Sequence, residues 1–260
     1  MKIHCINFVY FSPTKTTKMV LDLLGKEFDV PMKEYDLTDF KNHNIELLFN
    51  NTDLVIFGFP VYSGRVPETF VARLEKVKGD YTAGAIIATY GNRDYDDALL
   101  EMKNIAGQSG FKIIGAAAIV SEHSVVREIG AGRPNKEDIS LLTAFGKELK
   151  IKIEAINNLI QDESLRINGN IPYRKYKHIP MSPRSTSTCN ACNACCKLCP
   201  TRAITYDGKI RTNKQKCVGC MRCIRICPKK ARTVGKLKEF GAKVLLKNKC
   251  KEDKHSEMFI

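Results

Sequence analysis

The chain has 260 residues, of which 43% are hydrophobic, and its formal net charge is +14. This length suits two domains with a proper core, and no apolar run approaches the ~20 residues that a membrane-spanning helix requires. The eleven cysteines are concentrated after residue 188, which excludes a disulfide framework spread along an extracellular protein. With no basic, signal-like leader at its N-terminus, the chain is predicted to be cytoplasmic, without a membrane span.

The first 160 residues alternate apolar runs of strand length with amphipathic helical stretches. The strand-like runs are residues 2–10, 30–35, 52–57, 83–89 and 112–120. Apolar residues at helical spacing lie between them, as in Met19, Val20, Leu23 and Leu24, and again in Phe70, Val71, Leu74 and Val77. This alternation predicts βαβ units and a doubly wound, five-stranded parallel sheet.

Three loops follow predicted strands, at the carboxyl edge where ligands bind in such sheets. The first, after strand one, carries Ser12, Thr14, Lys15, Thr16 and Thr17 and opens a helix, where hydroxyls and backbone N–H groups can bind phosphate. Ser12 before Pro13 could equally be a simple helix cap. The second and third loops combine tyrosine with glycine, so that a ring could stack on a ligand, although such tyrosines are also common as half-buried lids without one. The residues concerned are Pro60, Val61, Tyr62 and Ser63, and Thr89, Tyr90, Gly91, Asn92 and Tyr95.

The pattern Ser12-x-Thr14-x-x-Thr17 resembles the phosphate loop of flavodoxins. That resemblance implies bound FMN, the strand order 2-1-3-4-5, and a phosphate held by the hydroxyls of the first loop together with backbone donors. It also implies that the second loop borders one side of the flavin ring and the third loop the other. The chain departs from the family pattern at Lys15, which stands where glycine is usual, and a positive φ at that position would be costly for lysine.

Two copies of one cysteine frame, C-x2-C-x2-C-x3-C-P, lie 28 residues apart near the C-terminus. This is the spacing of bacterial two-cluster ferredoxins, in which the fourth cysteine of each run ligates the other cluster. One predicted 4Fe-4S cluster is therefore held by Cys189, Cys192, Cys195 and Cys227, and the second by Cys217, Cys220, Cys223 and Cys199. Cys-Pro-Thr-Arg-Ala at 199–203 matches Cys-Pro-Lys-Lys-Ala at 227–231, which indicates a pseudo-two-fold repeat.

Paired zinc sites are the alternative interpretation of these cysteines, because C-x2-C pairs also form zinc ribbons. Zinc ribbons separate two pairs by a spacer, whereas here three cysteines at triplet spacing precede a Cys-Pro, twice, and this favours iron and sulfur. Cys196 falls outside the frame and is interpreted as a packing thiol, and Cys5 and Cys250 have no partner that the sequence reveals.

The whole chain, over residues 1 to about 235, resembles the flavodoxin and ferredoxin fusion proteins of anaerobes. We therefore expect a flavodoxin-like domain at 1–160, a linker at 161–185, a small α+β two-cluster ferredoxin domain at 186–235, and a basic tail at 236–260. Asp207-Gly208 between two short β-prone runs predicts a hairpin inside the ferredoxin domain. Apolar residues at helical spacing after residue 235 predict a helix packed on the body.

Charge is unevenly distributed between the two parts of the chain. Residues 1–162 hold 19 Lys and Arg against 22 Asp and Glu, net −3, whereas residues 163–260 hold 23 against 6, net +17. The basic part could be a surface that offsets cluster charge, a docking face for an acidic redox protein such as a ferredoxin or reductase, or a nucleic-acid surface. No nucleic-acid motif accompanies it, so nucleic acid is not an expected partner.

These features predict an electron-transfer protein that relays single electrons between two 4Fe-4S clusters and FMN, with no acid or base residue required. The alternative is a ferredoxin-dependent flavin reductase acting on a quinone or nitro compound, with a pocket lined by residues 121–134, including His123, Arg127 and Arg133. A nucleic-acid binder with a structural cluster is a third possibility, which salt-dependent association would reveal.

Overall fold

The computed structural model describes residues 1–159, 165–178 and 180–260. The predicted domain end at residue 160 and the start of the predicted linker lie outside these ranges. The strands are β1 (Cys5–Tyr10), β2 (Met32–Asp36), β3 (Leu47–Phe49), β4 (Asp53–Pro60), β5 (Val77–Gly79), β6 (Thr82–Tyr90), β7 (Phe111–Val120), β8 (Arg184–Ser185), β9 (Ile204–Asp207), β10 (Lys209–Thr212), β11 (Arg232–Thr233) and β12 (Glu257–Phe259). The α-helices are α1 (Thr16–Gly25), α2 (Glu68–Leu74), α3 (Ala98–Gln108), α4 (Lys136–Ala155), α5 (Ala194–Lys197), α6 (Arg222–Arg225) and α7 (Lys236–Lys249).

Six strands form the main sheet, in the order β2-β1-β4-β6-β7-β12. The first five pair in parallel, and numbered among themselves they follow the order 2-1-3-4-5 of flavodoxin-like folds. The predicted five-stranded parallel sheet is therefore confirmed. The sixth strand is not among the predicted ones: β12 pairs antiparallel with β7, from Glu257 opposite Ala118 to Phe259 opposite Ala116.

Helices cover both faces of this sheet. Because side chains alternate along a strand, Phe8 packs into one core while its neighbour Val9 packs into the other. The first core is closed by α1 and α4 and the second by α2 and α3. The middle of β7, Ala116 to Ala118, is fully buried between them. The three-layer arrangement leaves the carboxyl ends of the strands free to carry loops.

The cysteine-rich part is a small unit built around two short pairs of strands. Strands β9 and β10 form the predicted hairpin, with Gly208 at φ 63° in the turn, and β8 pairs antiparallel with β11. Helices α5 and α6 each carry the third cysteine of a run. Two-strand pairs of this size bury little apolar surface, so cofactor ligation and docking on the first domain have to supply much of the stability.

The end of the chain returns to the first domain. Helix α7 follows the cysteine-rich unit and packs on the body through Ala242, against the cluster of Met181, Met221 and Val234. None of its residues is fully buried, and its larger apolar side chains are exposed. From its end the chain runs back across the carboxyl edge of the main sheet and forms β12. No helix among the described residues combines the length and apolar content that crossing a bilayer requires.

Candidate cofactor sites

The two cysteine runs have the same backbone shape. Residues with positive φ recur 28 positions apart: Ala191 and Gly219, Asn193 and Met221, and Arg202 and Lys230 have φ of 53° and 63°, 59° and 59°, and 49° and 49°. Five of these six residues are not glycine, so the left-handed turns cost conformational energy in both copies. Because the same left-handed positions recur in both runs, the sequence repeat is also a structural repeat.

The two runs also interpenetrate. Cys195, Cys199, Cys220 and Cys223 are buried, whereas Cys192 is exposed and the other four cysteines of this region, Cys189, Cys196, Cys217 and Cys227, are half-buried. Burial, together with the nearby thiols of Cys223, Cys199 and Cys217, raises the pKa of Cys220 to about 12. Cys199 therefore lies among the cysteines of the second run, as crossed ligation requires.

Each fourth cysteine receives a hydrogen bond at sulfur from the backbone four residues later. The Ala203 N–H lies 3.3 Å from Cys199 Sγ, and the Ala231 N–H lies 3.2 Å from Cys227 Sγ. An N–H group that donates to sulfur favours the thiolate over the thiol and tunes the potential of a cluster bound to it. The alanine repeat seen in the sequence keeps this approach open in both copies.

Arg232 places a buried positive charge beside the cysteines. It donates to Thr212 Oγ1 at 2.6 Å and to the Pro183 carbonyl at 2.7 Å, and its Nη2 lies 3.9 Å from Cys223 Sγ. It is 3% exposed, its Nε has no hydrogen-bond partner, and no described carboxylate forms an ion pair with it. A buried guanidinium without a carboxylate is costly unless other negative charge is close. A thiolate-ligated cluster of net charge about −2 supplies such a charge, so the site fits the group.

Burial disfavours free thiolates in this region. It raises the pKa of Cys223 to about 11, although the Arg232 cation opposes the rise. Thiolates here therefore require bound metal. Within the described ranges, no three His, Cys, Asp or Glu side chains converge closely enough to hold a single ion.

Two hydroxyls of the first loop, those of Ser12 and Thr17, form hydrogen bonds with α1 and with the end of β6. Ser12 Oγ accepts the Lys18 N–H at 3.0 Å, and Thr17 Oγ1 lies 2.8 Å from Thr89 Oγ1 in a buried pair. Thr14 and Thr16 are half-buried, with hydroxyls 3.5 Å apart. Because α1 begins at Thr16, the N–H groups of Thr16 and Thr17 have no intrahelical acceptor. With the hydroxyls of Thr14 and Thr16 they make up a candidate anion site.

Lys15 adopts the left-handed conformation, with φ 68° and ψ 1°. The loop thus requires the backbone shape that glycine gives without cost. The ammonium group lies 3.5 Å from Asp36 Oδ2 and remains largely exposed, so it can contribute positive charge beside the anion site. The chain thus keeps the loop shape with lysine where flavodoxins have glycine, at the cost of a strained backbone at Lys15.

The second loop makes a tight turn at the end of β4. Tyr62 and Arg65 exchange backbone hydrogen bonds of 3.1 and 3.0 Å across Ser63 and Gly64, which both have positive φ, as a type I′ turn requires. Ser63 Oγ donates to the Lys177 carbonyl at 2.6 Å. Pro60 is the register partner of Thr89, and the Val61 N–H donates to the Thr89 carbonyl at 2.8 Å. The loop is therefore tied to β6 at one end and to the chain around residue 177 at the other.

The side chains of the third loop contact the C-terminal segment of the chain. Tyr90 and Tyr95 are 4% and 7% exposed and donate to the His255 carbonyl and to Glu257 Oε2, at 2.9 and 2.7 Å. Asn92 is buried, and its Oδ1 accepts the Lys254 N–H at 2.9 Å. A Cβ at Gly91 would lie 2.6 Å from the His123 ring. These residues meet at the expected edge of the sheet, but neither tyrosine ring is free to stack on a ligand.

The second loop meets the cysteine-rich unit directly. A small cavity of about 40 Å³ is lined by Tyr62, His123 and Tyr176 on one side and by Val218 and Gly219 on the other. Burial of its hydroxyl raises the pKa of Tyr62 well above the ordinary value, and the neighbouring Cys220 thiol adds to the rise. The loop predicted to border a flavin is thus in contact with the loop predicted to hold the second cluster.

Buried arginines hold the two units together. Arg73 donates to the carbonyls of Leu37 and Pro200, one in each unit. Arg222 is 4% exposed and donates to Asp39 Oδ1 at 2.6 Å. These residues carry no motif. Because the contacts of Arg73 with Pro200 and of Arg222 with Asp39 join positions more than a hundred residues apart, a local pattern could not reveal them.

Comparison with known proteins agrees with this division of the chain. Residues 183–251 match the family model described as a 4Fe-4S dicluster domain. No curated protein matches the chain.

Solved structures resemble the first part. A flavodoxin of Streptococcus pneumonia TIGR4 is 16% identical, with a TM-score of 0.41, covering 57% of this chain and 99% of its own. A flavodoxin of Fusobacterium nucleatum bound to flavin mononucleotide is 15% identical, with a TM-score of 0.40, covering 58% of this chain and 99% of its own. An NADH:FMN oxidoreductase in its apo form is 13% identical, with a TM-score of 0.42, covering 59% of this chain and 92% of its own. The strand order of the main sheet is that of a flavodoxin-like fold, and the segment that follows it in sequence is similar to 4Fe-4S dicluster domains.

Proposed function

We propose that the protein is an electron carrier in which two 4Fe-4S clusters and a bound FMN exchange single electrons. The observation that supports this most directly is the contact between the flavin-type loop at Tyr62 and the cysteine loop at Val218 and Gly219. When bound, the clusters each exchange one electron and FMN accepts one or two, so the pair interconverts one-electron and two-electron chemistry.

The protein holds the cofactors in place and tunes their reduction potentials. We assign Cys189, Cys192, Cys195 and Cys227 to one cluster, and Cys217, Cys220, Cys223 and Cys199 to the other. The Ala203 and Ala231 N–H groups and the Arg232 cation stabilise the negative charge of the thiolates. The Arg73 and Arg222 contacts fix the cysteine-rich unit against the flavodoxin-like domain, so the distance between the two cofactor sites is set by packing.

We assign the FMN phosphate to the hydroxyls of Thr14 and Thr16 and the first-turn N–H groups of α1, with Lys15 adding positive charge. Ser12 and Thr17 hold the loop in shape through their hydrogen bonds with the Lys18 N–H and the Thr89 hydroxyl. The flavin ring of FMN would lie beside Tyr62, against the main chain of the second and third loops. Because the cavity there has only about 40 Å³, binding the ring would displace part of its lining, which includes Tyr176 and His178.

The reductase alternative requires an open pocket over the flavin ring, lined by residues 121–134. Residues 124–128 do line a groove of about 730 Å³, but its other walls are the second cysteine run and α7, not the second and third loops. His123 packs against Gly91, Arg127 pairs with Glu122, and Arg133 pairs with Asp138. We therefore propose the carrier function alone, with an acidic redox protein as the partner.

Anaerobic reconstitution tests the proposal. The chain should take up about eight irons, eight sulfides and one FMN. Cys199→Ser should disturb the cluster of the second run, seen as loss of one of two signals in electron paramagnetic resonance (EPR). Cys196→Ser, next to a ligand but outside the frame, is the matched control and should retain eight irons. Recovery of zinc in place of iron, or no quenching of added FMN fluorescence, would contradict the proposal.

A further inference from the structure

A groove of about 730 Å³ lies where the cysteine-rich unit meets the flavodoxin-like domain. Its walls are residues 124–128, the end of the second cysteine run, and α7. Apolar side chains of Val125, Val126, Met221, Ile224 and Val234 line it. It has the size of a ligand or peptide site, yet neither cofactor is assigned to it.

The groove is basic. Six Arg and Lys side chains line it, against only Glu128 and Glu239. Glu128 is paired with Lys243, and Glu122 with both Arg127 and Arg225, which leaves Lys230, Arg232 and Lys236 without ion pairs among the described residues. Positive charge that the chain does not neutralise itself is available to a partner.

Cys227 also lines the groove. It is half-buried, and of the other cysteines assigned to its cluster Cys192 is exposed, Cys189 is half-buried and Cys195 is buried. In the other cluster Cys199, Cys220 and Cys223 are buried and Cys217 is half-buried. The ligands of the Cys227 cluster are therefore the more accessible set. The groove opens on Cys227 and shares Ser124 and Val125 with the small cavity beside the flavin-type loop.

Helix α7 extends the groove with an apolar stripe. Leu237, Phe240 and Leu245 are 85%, 64% and 70% exposed, and Val244 lies on the same face. Residues 236–251 carry six lysines and one glutamate. Large apolar side chains left in water on a lysine-rich helix indicate an interaction surface.

We propose that this groove and the exposed stripe of α7 form the docking site for the electron donor, an acidic iron-sulfur protein with an apolar side chain that inserts beside Cys227. The inference deepens the proposed function and rests on it. Two features favour a protein over an anionic membrane: the site is concave, and it opens on a cluster ligand. Each encounter moves one electron, so that the donor cluster is oxidised by one electron as a cluster of this chain is reduced by one, without bond formation or proton transfer.

The test uses the reconstituted full chain and, as probe, an acidic bacterial two-cluster ferredoxin. Binding is measured by calorimetry with both proteins oxidised, so that affinity is recorded without electron transfer. Stopped-flow mixing with the reduced ferredoxin then gives the association rate as a function of ionic strength. The variants are K236E/K247E and L237S/F240S, and K33E/K147E on the flavodoxin-like domain is the control with the same change of net charge.

We expect K236E/K247E to lower the association rate at low salt at least tenfold and to flatten its salt dependence, because steering acts through local charge. L237S/F240S should weaken binding at least tenfold with little change in salt dependence. Both should retain the iron and FMN content of the wild type, as should the control, which should bind and react nearly as the wild type does.

Equal effects of K236E/K247E and K33E/K147E would overturn the inference, because only net charge would then matter. A second result would also overturn it: the chain sediments with phosphatidylserine vesicles, and F240S abolishes this binding without changing the rate at which reduced ferredoxin reduces the chain. Helix α7 would then bind a membrane and not the electron donor. The wild-type chain with eight irons could be reduced by dithionite and yet neither bind ferredoxin nor be reduced by it. This result refutes the docking site and leaves the proposed function intact. A chain without iron refutes the proposed function itself.

Discussion

Tyr95 donates a hydrogen bond of 2.7 Å to Glu257, and so joins the third loop of the flavodoxin-like domain to the last strand of the chain. In the same segment the Lys254 N–H donates to Asn92 Oδ1, and the His255 carbonyl accepts the Tyr90 hydroxyl. The segment therefore contacts three residues of one loop. The C-terminal strand is therefore part of the first domain, although it follows the second domain in sequence. Its removal should affect residues far away in the chain.

Deleting residues 251–260 should open the edge of the main sheet. Strand β7 would lose its antiparallel partner and Tyr90 its acceptor at His255, so amide exchange at 116–118 and around residues 90–95 should become faster. Hydrogen exchange with mass spectrometry measures this. Tyr95→Phe, which removes one hydrogen bond, should cost about 1 kcal/mol and leave β7 protected. Unchanged exchange in the deletion variant would show that β12 does not stabilise the edge.

Substituting Lys15 separates strain from charge in the phosphate loop. Lys15→Gly removes the cost of φ 68°, whereas Lys15→Ala keeps it, and both lose the contact with Asp36. The glycine variant should thus be more stable than the alanine variant by about 1 kcal/mol in denaturant unfolding. FMN titration should show weaker binding for both than for the wild type if the ammonium attracts the phosphate. Equal stability of the two variants would mean that the loop relaxes.

The parts of the protein that the sequence predicts are those with local signals. The five parallel strands appear as apolar runs, the cluster ligands as a fixed spacing, and the hairpin as Asp207-Gly208. The partners of Tyr90, Asn92 and Tyr95 are 160 or more residues away in the chain, so their loop resembles a ligand site until the C-terminal segment is placed. Glu257–Phe259 is also too short to show an alternating pattern. The interface residues Arg73 and Arg222 resemble any surface arginine in sequence, and only packing shows that they are buried.

Arg232 should raise the potential of the cluster next to it. A unit charge ~7 Å from the cluster contributes about 2 kcal/mol at an effective dielectric constant of ~20, or roughly 90 mV for a one-electron couple. Arg232→Gln should therefore make one midpoint potential more negative by several tens of millivolts in an EPR-monitored redox titration. Arg232→Lys retains the charge and should shift the potential less. Arg211→Gln, on the exposed hairpin strand, is the control and should leave both potentials near the wild-type values. Equal shifts in all three variants would exclude a specific role for Arg232.

His123 should remain neutral well below the usual range of histidine. Burial lowers its pKa to about 4, and its Nδ1 accepts the N–H groups of Val125 and Val126 at 3.2 and 3.0 Å. The unfolded chain binds this proton near pH 6.5, so the folded state binds fewer protons between pH 6.5 and 4, and stability falls as the pH falls through that window. The loss should reach about 3 kcal/mol by pH 4. NMR titration of the labelled histidine rings measures the pKa directly, and His123→Gln, which keeps an acceptor, identifies the resonance. If that resonance titrates near pH 6.5 instead, the ring is solvated, and the packing of His123 against Gly91 does not persist in solution.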